Sequence, residues 1–164
     1  MKRRLFFSIG AGVVGAGVLS MSFFRKTAAT ERSAHFEIEL SEAQWRSKLS
    51  PAQFNVLRDH ATERAGSSAL DREKRRGTFH CAGCDLALFA SEKKFDSGTG
   101  WPSFFAPLTN AIGTSEDNSF FTTRTEVHCR RCGGHLGHVF NDGPAPTGLR
   151  YCMNGIAMSF KAAA

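Results

Sequence analysis

The 164 residues include 41% apolar and 22% charged residues, a composition that fits one globular domain and excludes collagen-like, low-complexity and wholly disordered chains. The formal net charge is +6, but residues 1–34 hold six basic residues and only one acidic residue. The rest of the chain is therefore close to neutral and lacks the clustered positive charge that nucleic-acid binding requires. We expect no nucleic-acid partner.

Residues 1–34 have the pattern of an export signal. Lys2, Arg3 and Arg4 precede an uncharged stretch at 5–24, and Arg3-Arg4-Leu-Phe-Phe resembles the core of a twin-arginine signal. A stretch of this length, at about 1.5 Å per residue, would also span a bilayer core of about 30 Å, so an anchor through residues 5–24 is the alternative. We expect a leader at 1–34, a single domain at 35–164 and export to the periplasm, with membrane contact only if the leader is retained.

Helix signals follow the leader. Ser41 and Ser50 are candidate N-caps and Pro51 suits a first helical position, which predicts helices at Ser41–Lys48 and Ser50–Glu63. One side of these helices would carry the apolar residues Leu49, Phe54 and Leu57. Their packing would attach the helices to the rest of the domain.

After residue 65, the pattern of loops and short segments is typical of a β protein. Residues 66–77 are polar and charged, which predicts a solvated loop. Glycine and proline then divide the chain into short segments, such as 120–127 and 151–160, which are typical of antiparallel strands.

Two C-x-x-C pairs, Cys81 with Cys84 and Cys129 with Cys132, are separated by 44 residues. Four thiolates complete a tetrahedral zinc shell with no open position for water, so the pattern predicts one structural zinc. The alternatives are disulfides or a redox pair of the thioredoxin type. Either redox pair would leave the other pair unexplained.

The fifth cysteine, Cys152, follows a glycine-rich segment that contains His135 and His138. Arg150 lies two residues before Cys152, and residues i and i+2 of a strand share a face. Nearby cations favour the thiolate, which is the attacking form. Spacing alone leaves open whether Cys152 is a nucleophile or a small buried residue. It also leaves open whether the histidines serve catalysis, the core or a second metal.

Together these motifs resemble the methionine-R-sulfoxide reductases, the B type. The resemblance covers about Trp45 to Phe160, and the motifs occur in family order: both C-x-x-C pairs, residues 62–64, 94–104, 124–127, 134–144 and 150–154. It implies a mainly β fold of two small antiparallel sheets with short N-terminal helices. It also implies a structural zinc remote from the active site and a catalytic cysteine at Cys152.

The chemistry that the resemblance implies is thiol-dependent reduction of the R epimer of methionine sulfoxide, free or in proteins, as repair after oxidative damage. Cys152 would attack the sulfoxide sulfur and become a sulfenic acid. His135 and His138 are the candidates for protonating the departing oxygen. Arg150 and Asn154 would stabilise the thiolate and orient the oxygen, unless Arg150 merely pairs with an acid such as Asp142 or Glu126. Trp101 would contact the substrate methyl, unless it belongs to the core.

Four positions depart from the family pattern. Ala65-Gly66 stands where Pro-Phe is common, and Gly155 stands where serine is frequent. Thr99 occupies the place at which many members carry a resolving cysteine. If zinc holds four of the five cysteines, Cys152 has no partner thiol in the chain. An external thiol would have to regenerate it, from a thioredoxin-like or glutaredoxin-like protein or a small thiol.

Two other function classes are compatible with part of the sequence. A zinc-dependent binding module would explain the paired cysteines but gives no role to Trp101, His135, His138 and Cys152. A general thiol oxidoreductase would use one C-x-x-C pair, and a tightly held zinc would exclude that use.

Overall fold

The computed structural model describes residues 35–119 and 122–164, so the predicted leader lies outside the described residues. The described part contains two helices, α1 (Glu42–Lys48) and α2 (Pro51–Leu57). Its strands are β1 (Gly77–Cys81), β2 (Ala87–Ala90), β3 (Lys94–Phe95), β4 (Ser103–Phe104), β5 (Ile112–Asp117), β6 (Arg124–Cys129), β7 (His135–Phe140), β8 (Arg150–Met153) and β9 (Met158–Ala162).

The strands form two antiparallel sheets, which confirms the expected mainly β fold. The smaller sheet has the order β2-β1-β9, and the larger has the order β3-β4-β8-β7-β6-β5. The predicted strand at 151–160 is divided, because a short 3-10 turn at Gly155–Ala157 moves the chain from β8 in the larger sheet to β9 in the smaller one. The predicted segment 120–127 contributes β6, although its first two residues lie outside the described part.

Both helices begin as the sequence predicts. The side chains of Ser41 and Ser50 accept hydrogen bonds from the backbone N–H three residues later. The side-chain oxygens of Gln44 and Gln53 accept in turn from the N–H groups of the two serines, which completes two capping boxes. Capping of this kind satisfies N–H groups that the first helical turn leaves unpaired.

The predicted length of the second helix is wrong, because α2 ends at Leu57 rather than at Glu63. The chain turns at His60, whose φ of 56° is left-handed, and the N–H of Ala61 returns to the carbonyl of Asn55. The next residues run along the larger sheet, where the N–H of Glu63 donates to Asn154. Tertiary hydrogen bonds therefore replace further helical turns.

The core is rich in aromatic side chains. Phe79, Phe89 and Phe104 are completely buried, with Phe89 stacked on Phe104 at 4.3 Å between ring centroids. The predicted apolar side of the helices is buried against this core through Leu49, Phe54 and Leu57. In residues 35–119 and 122–164, no helix has the length and apolar character needed to cross a bilayer.

Candidate active site and metal centre

The four cysteines of the C-x-x-C pairs come together from the two sheets. Cys81 ends β1 of the smaller sheet and Cys129 ends β6 of the larger one. Both pairs are held in the same kind of tight turn. In each, the N–H of the residue that follows the second cysteine donates to the carbonyl of the first cysteine: Asp85 to Cys81, and Gly133 to Cys129. Asp85 and Gly133 both adopt left-handed φ values, 61° and 66°.

The sulfur positions fit a metal centre. Cys81 and Cys132 have their sulfurs 3.7 Å apart, Cys84 and Cys129 have theirs 3.4 Å apart, and all four sulfurs lie within 4.8 Å of one another. Tetrahedral zinc with Zn–S bonds of about 2.3 Å separates its sulfurs by about 3.8 Å. Three of the thiols are buried and Cys84 is half-buried. The donor set and its spacing therefore suit a closed four-thiolate site.

Cys152 lies at the centre of the larger sheet, on β8. Its direct cross-strand neighbours are Ser103 on β4 and His138 on β7. Side chains of directly opposed residues share one face of a sheet, so all three project to the same side. The approach of β7 is close because residue 137 is glycine: a side chain there would collide with the carbonyl of Cys152.

A pocket of about 150 Å³ opens over Cys152. Aromatic and polar residues line it together with one glycine: Thr62, Trp101, Arg124, Gly137, His138, Phe140 and Asn154. The indole N–H of Trp101 donates to the carbonyl of Glu63 at 3.1 Å, which fixes the ring at the pocket. The cysteines of the metal centre are not among the lining residues, so the two sites are separate.

His138 is the histidine that faces Cys152. Its Nε2 is 2.7 Å from Asp117 Oδ2, an oxygen that also accepts from Arg124. Burial lowers the pKa of His138, and the hydrogen bond with Asp117 opposes this shift. Hydrogen bonds from Ser119, and then from His138, hold the pKa of Asp117 well below its usual range. With Nε2 committed to a carboxylate, Nδ1 is the nitrogen left to exchange a proton with a ligand.

His135 lies deeper than His138. It is 2% exposed, its Nδ1 is 2.7 Å from Glu126, and its ring centroid is 5.4 Å from that of His138. Burial alone would raise the pKa of Glu126, but hydrogen bonds from His135, His60 and Ser115 hold it well below its usual range. His135 contacts the ring of His138 rather than lining the Cys152 pocket.

The other predicted residues surround Cys152 in different ways. Arg150 forms a two-point ion pair with Asp142, at 2.9 Å for both contacts, and stacks over Phe140. Burial raises the pKa of the Cys152 thiol, while the charge of Arg150 and the hydroxyls of Thr99 and Ser103 lower it. Asn154 is buried at the pocket wall.

The amide of Asn154 is bonded to backbone on both sides. Its Oδ1 accepts from the N–H of Glu63 at 2.9 Å, and its Nδ2 donates to the carbonyl of Leu136 at 3.1 Å. Glu63 in turn accepts from the N–H groups of Gly155 and Ile156. These bonds tie the segment after Cys152 to the segment that carries the Trp101 contact.

Comparison with known proteins decides the family. Residues 49–162 match the SelR domain family. This chain belongs to the SelR domain family. It is similar to the peptide methionine sulfoxide reductase MsrB of Methanosarcina barkeri, with 50% identity over 125 residues, 76% of this chain and 88% of the relative. It is also similar to the protein of that name from Leptospira interrogans, with 45% identity over 128 residues, which are 77% of this chain and 98% of the relative. The protein of that name from Bradyrhizobium diazoefficiens is 53% identical over 122 residues, which are 74% of this chain and 88% of the relative.

In this SelR domain, the departure at Gly155 has a local explanation. A side chain on residue 155 would overlap the hydroxyl and Cβ of Ser68. Ser68 uses that hydroxyl to accept from the N–H of Leu70 and to begin a short 3-10 turn. The serine that the resemblance led us to expect at position 155 therefore has no room here, because Ser68 occupies the space.

Several site residues were not predicted from the sequence. Asp117 and Glu126 support the two histidines, Thr62 and Phe140 line the pocket, and Ser103 lies opposite Cys152. Four of these residues lie within motifs that the resemblance already marked: Thr62, Ser103, Glu126 and Phe140. Nothing in the sequence distinguishes Asp117 from the other acidic residues near it. Its contact with His138 depends on the register of the strands in the larger sheet.

Proposed function

We propose that this SelR-domain protein reduces the R epimer of methionine sulfoxide to methionine, with Cys152 as the nucleophile. The main support is the position of the Cys152 thiol at a small pocket that Trp101 and His138 also line. Aromatic side chains suit the methyl group on the sulfoxide sulfur of the substrate, and the histidine suits the sulfoxide oxygen.

The reaction balances within this site. Attack of the Cys152 thiolate on the sulfoxide sulfur forms an S–S bond, and with two protons the oxygen leaves as water. Water then adds to Cys152 Sγ and loses a proton, the S–S bond breaks, and its electron pair leaves with methionine. Cys152 has lost two electrons and remains as a sulfenic acid, with one proton consumed overall. We assign proton donation to His138 because it faces Cys152, and positioning of His138 to His135 and Asp117.

Purified protein should reduce the R sulfoxide of a blocked methionine, with a small thiol as reductant, and leave the S epimer unreacted. The two epimers differ only in which side of the sulfur bears oxygen, so one pocket cannot present both oxygens to His138. Separate assays of the pure epimers, by chromatography of the methionine formed, measure this. Equal reduction of both epimers, or reduction of neither, would contradict the proposal.

Replacing His138 by alanine should slow the reductive step by about 10²- to 10⁴-fold, because a positioned proton donor is removed. The pH dependence should change as well. Because burial raises the pKa of Cys152 and lowers that of His138, the wild-type rate should be flat between the two values. In that range, rising pH forms thiolate and removes histidine protons in equal proportion. Without His138 only thiolate formation remains, so the rate should rise about tenfold per pH unit.

Single-turnover measurements from pH 6 to 9 distinguish the two profiles. His35→Ala is the matched control, since His35 is exposed and pairs with Glu39 away from the pocket. A His138→Ala rate that stays flat with pH would assign the proton donor to another group, and His135→Ala would then be expected to change the profile instead.

We also infer that the metal of the four-cysteine centre is zinc and that its role is structural. A shell of four thiolates leaves no position for substrate or water. Zinc would hold the end of β1 against the turn between β6 and β7, and no step of sulfoxide reduction would pass through it.

Regeneration of Cys152 would use an external thiol, supplied by a thioredoxin-like or glutaredoxin-like protein or by a small molecule. The residue next to its sulfur is Thr99, with the hydroxyl oxygen 4.0 Å from Cys152 Sγ. A hydroxyl cannot form a disulfide, and the other four cysteines are grouped at the metal centre. The incoming thiol would form a mixed disulfide with Cys152 that a second thiol reduces.

We propose that the protein works outside the cytoplasm. The support is the basic and uncharged pattern of residues 1–34. Export would place the enzyme beside oxidised envelope proteins, with an anchor through residues 5–24 as the alternative. Fractionation of cells that express the full chain tests this, and recovery of the protein in the cytoplasm would contradict it.

A further inference from the structure

Three hydroxyl groups form a continuous row beside the sulfur of Cys152, and Ser103 also lies directly opposite Cys152 on the neighbouring strand. Ser103 Oγ is 2.8 Å from Ser97 Oγ, and Ser97 Oγ is 2.8 Å from Thr99 Oγ1. Thr99 Oγ1 is 4.0 Å from Cys152 Sγ, at the outer limit of a hydrogen bond to sulfur. At the other end, Ser103 Oγ is 3.1 Å from the carbonyl oxygen of Trp101. Ser103 is fully buried, so water does not compete for its hydroxyl, while Ser97 and Thr99 are half-buried.

Each hydroxyl has one hydrogen to donate, which fixes how the row is arranged when Cys152 is a neutral thiol. The thiol can donate to Thr99, Thr99 to Ser97, and Ser97 to Ser103. Ser103 then donates to the carbonyl of Trp101, which is the terminal acceptor. Every donor in the row is satisfied in this arrangement.

The same atoms serve the thiolate when the row reverses. Ser103 now donates to Ser97, Ser97 to Thr99, and Thr99 to the negative sulfur. The Trp101 carbonyl and Ser103 Oγ each lose a donor, and the sulfur gains a charge-assisted hydrogen bond, which is stronger than a neutral one. The backbone N–H of Thr99 also points to Ser97 Oγ, at 3.5 Å, which supports Ser97 as an acceptor. No side chain needs to move for the reversal, because only hydroxyl hydrogens rotate.

We propose that Ser97, Thr99 and Ser103 form a reversible hydroxyl chain that hydrogen-bonds the sulfur of Cys152 in both its thiol and its thiolate form. Thr99 then has a role of its own, which is to hydrogen-bond the sulfur of Cys152, in addition to replacing a resolving cysteine. A cysteine at position 99 would be a weak donor and would interrupt the chain. The inference rests on the proposed function only in that the thiolate is the form that attacks sulfoxide.

Charged and titratable groups from its own strand and from other elements also face Cys152. Arg150 lies on the same strand and His138 on the next one, while Arg124 lines the pocket from β6. Asp117 neutralises part of this charge through its bonds to His138 and Arg124, and Glu63 binds backbone beyond Asn154. Substitutions in the hydroxyl row leave all of these groups in place, so the row can be tested separately.

The test is alkylation of Cys152 by iodoacetamide across pH, in zinc-loaded protein without sulfoxide, with the modified residue identified by mass spectrometry. Thr99→Val keeps the shape and removes the hydroxyl, and it should slow alkylation at pH 7 by about tenfold, with the midpoint of the pH profile shifted upward. Ser97→Ala interrupts the row one step further from sulfur and should shift the midpoint in the same direction. Thr99→Ser restores the hydroxyl and should return the rate to within about threefold of the wild type.

Thr114→Val on β5 is the matched control, because Thr114 is exposed at the far edge of the larger sheet. Midpoints of Thr99→Val and Ser97→Ala equal to that of the wild type would overturn the proposal. An equal loss in Thr99→Val and Thr99→Ser would also overturn it, because steric fit would then be responsible. Alkylation needs no sulfoxide, so these outcomes are independent of whether the protein reduces methionine sulfoxide.

Discussion

Replacing Cys152 by serine is expected to abolish sulfoxide reduction, with a loss on the order of 10⁴-fold or more. Serine remains a neutral hydroxyl at neutral pH, whereas the thiol can ionise beside Arg150 and Thr99. Oxygen transfer to serine would also create an O–O bond, which is far less stable than the S–O bond of a sulfenic acid. Both the attack and its product are therefore lost with the sulfur.

The product provides a second measurement. Reduced wild-type protein, treated with substrate and no reductant, should give one dimedone adduct at Cys152 and no new disulfide. The serine variant should give neither turnover nor adduct. Its melting temperature and metal content should match the wild type, since the change is one atom at a half-buried position on β8.

Two results would contradict this scheme. Turnover by the serine variant within tenfold of the wild type would move the chemistry to another residue. A substrate-dependent disulfide within the wild-type chain would show that a cysteine of the metal centre acts as the resolving thiol, because Thr99 cannot. In that case zinc release should accompany the first turnover.

Local patterns in the sequence were sufficient for the helix starts and for the paired cysteines. Capping at Ser41 and Ser50 depends on residues three positions away, and each C-x-x-C turn is complete within a few residues. The extent of α2 was mispredicted for the opposite reason. Residues 58–63 are compatible with helix, but hydrogen bonds to Asn154 and Trp101, distant in the sequence, draw this segment onto the sheet.

The arrangement around Cys152 depends on strand register, which the sequence alone does not specify. The pairing of β6 with β7 shifts between Val127 and His128, so the partners of His135 and His138 cannot be counted along the chain. The pairing of β7 with β8 places His138 opposite Cys152, and the side chain of His135 reaches Glu126, whose own direct cross-strand partner is His138. The sequence therefore predicted two equivalent histidines, and the structure distinguishes them by depth.

For the four-cysteine centre, the sequence motif and the structure both indicate one shared ligand set. The spacing of the cysteines predicts a shared ligand set, and the structure adds that the set connects two sheets. Cys81 belongs to the smaller sheet through β1, and Cys129 to the larger sheet through β6. Removing one ligand would consequently affect the contact between sheets as well as one turn.

Replacing Cys84 by serine should therefore remove the metal and lower the melting temperature by about 10 °C or more, because metal binding contributes directly to folding. The other three thiols of the set would stay clustered without a cation to neutralise them. Metal content by atomic emission and thermal unfolding by circular dichroism measure the two effects on one sample. Cys152→Ser is the matched control, since it also exchanges one sulfur for oxygen but should retain the metal. A metal-free Cys84→Ser protein that melts like the wild type would show that zinc does not stabilise this fold.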